Sequence, residues 1–524
     1  MEISLDAFGF LSILMTGAAI TFQALILGGI AFLLLLARPL ETILGETGYL
    51  TVQNTRRLIG WSACALAVTK ASSVMLQSLI LANTIETTLL DAMDASFARA
   101  GIIAAITAIT ILAVILVGVD QKKPWILAFL GLFLVTSTVM ASHAAARLDD
   151  QILLLLANAL HQIGAAVWIG GLPCFLFSLA RASEGGALRL IGKRYSLMSM
   201  GAVTTIVISG VIMGTVYIDS LDALYGTTYG VTILTKAIFF FALLGLGFMN
   251  FRTVEKLRRN ASTSVLRLRR FAEVEFGVGV TIFLIAASLS SLPPAADITD
   301  NRATWAEIAE RHIPKWPDLK LPTSISISIP SQKDKQDAED FTPPEFNYHW
   351  EGLFVLGMGI LALIERSTRT LWAKHWPLLF LGLAGCLLVR SPPKAWPFGA
   401  IGLTESICDP KSLQHRIYLL FVVGFAIFEW NVQIGRLKSQ TASLAFPSLS
   451  AIGGALLLTH SFTNAKEEAL TALTYVPIAV LSVTTGWARW LEIRLPSESN
   501  RRFGCIWPIC FSLIGVILMF FCEQ

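Results

Sequence analysis

Long apolar runs alternate with short polar breaks along this chain, and each run is about as long as a membrane crossing. About 18 to 25 apolar residues span a bilayer as a helix. Such runs fall at roughly 10–37, 58–82, 100–118, 124–144, 152–180, 198–218, 231–251, 272–292, 349–365, 376–390, 415–434, 446–460, 470–490 and 505–522. Backbone amides in lipid find no water, so each run must bond its own and is helical. The pattern predicts an all-α polytopic integral membrane protein with about fourteen transmembrane helices in two bundles, eight and then six. Between the bundles, residues 293–348 open on Pro293-Pro294, alternate Ser and Ile at 323–329, turn charged at 333–340 and close on Thr342-Pro343-Pro344. They read as an extracytoplasmic linker, partly disordered or with a short strand. The expected domains are therefore 1–292, the linker 293–348, and 349–524.

Composition agrees with that reading. Of 524 residues, 54% are hydrophobic and 15% charged, where a soluble protein carries about a quarter charged. The net charge is +4, but its distribution carries more information. Lys and Arg in short loops set orientation. Alternate loops beginning at 38, 119, 181, 252, 365, 435 and 489 hold 25 of them, whereas the short loops on the other side hold 6. The basic loops are expected on the cytoplasmic side of a cell inner membrane, and an even number of spans puts both termini in the periplasm. Only Glu2 and Asp6 precede the first run, which lacks the basic start of a cleaved signal and is expected to stay as a span. Basic residues from Arg252 to Arg270 suit anionic lipid at the inner face, so nucleic acid is not an expected partner. No phosphate-binding glycine loop follows a strand, which leaves no nucleotide site and no expectation of an enzyme. Seven cysteines occur without CxxC or CxxCH, against a zinc ribbon or covalently attached haem.

Candidate chemistry lies in the outer half of the predicted membrane. His143, His161, His349, His415 and His460 all fall there or at its edge, and ionisable groups at one depth on several helices mark a site. Met140-Ala-Ser-His143 ends the fourth helix, and His161 lies about 13 Å into the fifth by helical rise. Imidazole and thioether together suit copper, and Met75 and Met213 fall at similar depth. Gly164, Gly170 and Gly171 permit close helix approach around His161. The ordinary alternative is that His161 bonds a carbonyl and the methionines fill gaps. In the second bundle, His, Trp and Tyr are also common interfacial residues, which fits His415 and the Tyr348-His349-Trp350 run. Lys70 and Lys236 lie within spans; Lys236 is near enough to the surface to snorkel. Glu273 and Glu275 are expected to complement the dipole at the start of the eighth helix. Glu429 is expected to form an ion pair with Arg436 or Arg489.

His161 through Gly171, Tyr195-Ser196, Tyr229-Gly230 with Lys236, and Glu275 ahead of Pro293-Pro294 resemble the CopD family of copper-resistance membrane proteins. The second bundle resembles its longer members in Glu345-Phe-Asn-Tyr-His349-Trp350, Trp376-Pro377-Leu378, Trp396-Pro397-Phe398-Gly399, Gln414-His415-Arg416, Phe428-Glu429-Trp430, Gly453-Gly454, Thr459-His460-Ser461 and Gly486-Trp487-Ala488-Arg489-Trp490. The resemblance runs from about 140 to 495, with a CopD-like core at about 140–292. It implies an inner-membrane protein that moves copper from periplasm toward cytoplasm, with the copper ion, the lipid bilayer and a periplasmic copper-binding protein as partners. The metal ligands expected are His143, His161, Met140, His349 and His460. The chain departs from the family at Phe462 and Tyr475, where relatives carry histidine, which weakens any site in the second bundle.

Two other functions fit the residues less well. A b-type haem electron carrier needs paired imidazoles at one depth, and His143 and His161 differ by more than about 10 Å. A scaffold or assembly factor for a copper enzyme, with a degenerate metal site, would account for Phe462 and Tyr475.

Overall fold

The computed structural model describes residues 5–182, 185–260, 264–314, 316–317, 344–368, 370–389, 402–408, 410–459 and 465–520. Among these, regular structure is helical throughout. Among the described residues, nine helices are long and apolar enough to cross a membrane, and two shorter apolar helices, Trp125–Val139 and Phe503–Met519, accompany them. This is a multi-pass helical membrane protein. The alternating Ser/Ile stretch and the charged part of the linker lie outside the described residues.

Two compact units emerge: Met1–Ala303 with Ala455–Ala472, and Thr304–Gly454 with Leu473–Gln524. In the first unit, α1 (Leu5–Phe32) continues through a π-turn at Leu33–Ala37 into Arg38–Leu44. Next come α2 (Glu46–Thr84), α3 (Ser96–Val117) and α4 (Trp125–Val139). Helix α5 (Gln151–Ala165) runs through a second π-turn, Ala166–Gly170, into α6 (Leu172–Arg181). The unit is completed by α7 (Gly185–Tyr217), α8 (Thr228–Arg259) and α9 (Leu266–Ser290). The second unit is built on α10 (Pro344–Thr368), a 3-10 stretch Leu371–Leu379 leading into α11 (Phe380–Val389), α12 (Pro410–Gln433), α13 (Ala445–Leu457), α14 (Ala465–Arg494) and α15 (Ser497–Met519).

The first unit is held at its centre by backbone touching backbone. A Cβ on Gly28 would collide with the Ala166 carbonyl, and one on Gly170 with the Ala24 carbonyl. Ala24 and Gly28 are four apart on α1, as are Ala166 and Gly170 on the π-turn. Small residues at that spacing let helices meet closely where lipid supplies no hydrophobic drive between them. Gly164 does the same toward α7, where a Cβ would lie 3.0 Å from the Ala202 carbonyl oxygen. The helix carrying His161 is thus clamped on two sides.

The second unit buries a charged cluster around Trp507. Glu492 accepts from Trp507 Nε1 at 2.7 Å, pairs with Arg366 at 2.7 Å, and bonds Arg489. Both guanidiniums also lie over the Trp507 ring, at 6.0 and 5.2 Å from its centre. Trp376 and Phe446 pack against the same indole. The expected partner of Glu429 is therefore occupied elsewhere. Arg489 bonds Glu492, and Arg436 stacks over Trp430 at 5.6 Å. Glu429 is 1% exposed; Oε1 accepts from Gln433 at 2.7 Å, and Oε2 has no hydrogen-bond partner among the described residues.

Candidate functional site

Helix α5 is the polar spine of the first unit. Asn158 and Gln162 stand one turn apart, so their side chains meet, with Gln162 Nε2 donating to Asn158 Oδ1 at 3.1 Å. Gln162 Oε1 accepts from Gln23 of α1 at 3.0 Å and from Thr138 of α4 at 3.0 Å. Asn158 Nδ2 donates to Ser142 Oγ at 2.9 Å, beside His143. A hydrogen-bonded file therefore runs from Gln23, buried in the bundle, to the outer end of α4. Every member is uncharged, and each amide finds a partner, as burial in a low-dielectric bundle requires.

His161 occupies the neighbouring face of α5 and is half-buried. Its Nδ1 lies 3.1 Å from Ser209 Oγ of α7. Ser209 is buried and donates its own proton to the Thr205 carbonyl at 2.7 Å. The hydroxyl thus offers His161 a lone pair, so Nδ1 carries the proton and Nε2 keeps its lone pair for a ligand. A fixed tautomer of this kind orients a metal-binding imidazole. Lys236 of α8, half-buried, acts electrostatically on the ring and forms no hydrogen bond or ion pair among the described residues. Lys70 on α2 likewise has no described bonding partner.

His143 lies elsewhere. It begins the short outer helix His143–Ala146, and its Nε2 donates to the Ser290 carbonyl of α9 at 3.1 Å. His161, ten residues along α5, sits about 15 Å inward from Gln151 by helical rise. The bonding partners of the two imidazoles are on different helices, and Met140 is 57% exposed at the end of α4. Met75 is exposed as well, whereas Met213 packs against the outer apolar cluster around Tyr217 and Tyr229. No group of three or more His, Cys, Asp or Glu that could hold a metal occurs among the described residues. In the second unit His349 is 3% exposed on α10. The side chain of His415 is not described, and His460 and Phe462 lie outside the described residues. Tyr475 lies hydroxyl to hydroxyl with Tyr348 at 3.4 Å.

The reading of Glu275 needs correcting. α9 begins at Leu266, so Glu275 is its tenth residue, well past the turn where a carboxylate complements the dipole. It is 3% exposed and accepts from Trp168 Nε1 and Asn250 Nδ2, each at 2.6 Å. Tyr195 donates to the Trp168 carbonyl at 2.6 Å and stacks on Phe175 at 4.3 Å. That bond takes up a carbonyl within the π-turn, an irregularity frequent at functional sites. Glu273, by contrast, pairs with Arg270 near the helix start.

Residues 189–289 match the family model described as Copper resistance protein D. Over that segment, the chain is similar to CopD-family proteins. The match covers Ser209, which bonds His161, Tyr195 and Glu275, which bond Trp168, Asn250, which bonds Glu275, and Lys236, which acts on His161 electrostatically. A stretch of 168 residues, 32% of the chain, is 29% identical to the Copper transport protein CutJ of Bacillus subtilis (strain 168). It spans 29% of that protein's length. No solved structure matches.

Sequence reasoning missed Gln23, Thr138, Asn158, Ser209 and Asn250. Polar residues inside apolar runs were visible as such, but which of them meet depends on helix pairing.

Proposed function

We propose that the chain handles copper ions at the inner membrane, taking them from the periplasm toward the cytoplasm in a transporter-like, non-enzymatic role. The observation that carries this reading is His161, an imidazole inside the bundle whose Nδ1 is tied to Ser209 and whose Nε2 is left to bind. Copper is the cargo, which suits a relay of low-coordinate stations better than one closed chelate. Met140 and His143 would receive the ion at the outer surface, and His161 would hold it about 15 Å deeper. His349 and His460 would contribute an outer vestibule in the second unit. The family match and the copper transport relative support this choice of cargo. The membrane potential would draw a cation inward without a nucleotide. The fourteen spans, the eight-plus-six arrangement, the division at 293–348 and the periplasmic termini belong to the same proposal, as does a periplasmic copper-binding partner.

A second reading is a scaffold for a copper enzyme. The observation in its favour is Tyr475, a phenol facing Tyr348 where relatives carry an imidazole. Copper content separates the two. Full-length protein, loaded under reducing conditions, is expected to retain at least one copper per chain, and His143→Ala/His161→Ala to lose it. No copper in either form would favour the scaffold.

A further inference from the structure

Two turns inward from His161, the first unit buries a carboxyl group that no cation neutralises. Trp168 lies seven residues after His161, about 10 Å deeper, and its indole holds Glu275. No Lys, Arg or His acts on Glu275, whose neighbours are the Trp168 and Asn250 donors. From the other packed elements, the titratable groups nearby are Tyr195 on α7, which Glu275 influences directly, and Cys174 on α6, which acts on that phenol. Helix α1, also packed against α9, has no charged side chain after Asp6. An uncompensated charge in an apolar bundle is costly, and a proton removes it.

Asn250 supplies the second observation. Its Oδ1 is buried and has no hydrogen-bond partner among the described residues. A carboxamide presents donors on one side and an acceptor on the other. With Nδ2 toward Glu275 it serves a carboxylate. Turned by half a revolution, Oδ1 would accept from the O–H of a carboxylic acid. The 2.6 Å separation suits either arrangement, being ordinary for O–H···O and short for N–H···O. Trp168 Nε1–H can donate to Oε1 in both states. The site is therefore built to hold Glu275 with or without its proton, and one atom of Asn250 is left over each time.

We propose that Glu275 is an intramembrane proton-binding site, whose two states Asn250 accommodates by turning its amide, and that it gives up its proton when a cation occupies the His161 layer. The O–H bond of the carboxylic acid breaks, the proton passes to water, and the carboxylate left behind offsets the incoming charge. The second half of this proposal rests on His161 being the cation station; the first half does not.

Infrared difference spectroscopy of the full chain in lipid nanodiscs tests both halves through the carboxylic C=O stretch. A band that titrates between about pH 4 and 10 is expected in the wild type and absent in Glu275→Gln. Asn250→Leu keeps the carboxyl group but removes its partner, so the band should persist and shift to higher frequency. Adding Cu(I) should bleach the band in the wild type and leave it in His161→Ala. If Glu275→Gln shows the wild-type spectrum at every pH, the proton site is overturned, whether or not copper binds. If the band titrates but Cu(I) binds without changing it, the coupling is overturned. If the band titrates and no form binds copper, the proton site stands and the copper reading fails.

Discussion

Both units bury an ion-pair cluster, Arg38 and Arg56 on Asp120 in the first and Arg366 and Arg489 on Glu492 in the second. They differ in the polarity buried around α5 and around Trp507. In the first, the buried polar groups along α5 are amides and hydroxyls, with one imidazole and one carboxyl group that have no paired counter-charge. In the second, Arg366 and Arg489 are balanced by Glu492 and Glu365 against the face and edge of Trp507. Paired buried charges lock a structure, because removing one partner strands the others in low dielectric. Uncharged files and unpaired ionisable groups are tied less strongly to one state, which leaves them able to exchange a proton or a cation. Function is therefore expected around α5 and rigidity around Trp507.

The strongest way to break that contrast is to remove one charge from each unit. Glu492→Ala should cost about 3–5 kcal/mol by stranding the Arg489 guanidinium and leaving Arg366 with Glu365 alone, seen as loss of monodisperse protein in detergent. Glu275→Gln should cost only about 1–2 kcal/mol and leave the protein foldable. Equal losses would erase the distinction. A second test concerns the crossing of α1 with the π-turn after α5, where backbone meets backbone. Gly170→Ala drives a methyl into the Ala24 carbonyl, with an expected cost of about 1–3 kcal/mol from overpacking, read as a lower melting temperature. No change would show that the π-turn can move away from α1.

Ser209→Ala sharpens the comparison at the site itself. It removes the acceptor that sets the His161 tautomer, and copper affinity should fall by about 10- to 100-fold in a competition titration while the melting temperature stays nearly constant. The smallest effect is expected at the outer surface. Arg302 bonds both oxygens of Asp219 at 3.0 Å and holds its carboxyl below the ordinary value of 3.8. A carboxyl lowered in the folded state adds stability above its unfolded value and loses it as the pH falls through the folded one. The pair's contribution to the melting temperature should thus be constant with pH around neutrality and decline only below 3.8. Arg302→Ala should remove that acid-side decline, and an equal decline in the variant would assign it to other carboxyls.

Much of this was legible before any coordinates. Apolar run lengths identified the polytopic helical membrane class because lipid forces each backbone to satisfy itself locally, a constraint that needs no tertiary partner. His161 was legible for a related reason: an imidazole ten residues into an apolar helix is rare enough to mark a site. Glu275 shows the limit. Read as the opening of a helix, it looked like a dipole partner. Moving the helix start back to Leu266 placed it inside the bundle, and boundaries in a basic, amphipathic approach such as 252–270 are weakly encoded. Glu429 failed differently, since Arg489 had two carboxylates within reach and sequence spacing could not choose between them.

The sequence by itself determined the helical class and the membrane setting, since both follow from one-dimensional periodicity and length. Only the tertiary structure decided which polar groups meet. Ser209 reaches His161 across 48 residues and Asn250 reaches Glu275 across 25. Those bonds depend on how helices rotate and cross, set here by small residues that let backbones touch, and rotation about a helix axis leaves no trace in hydropathy.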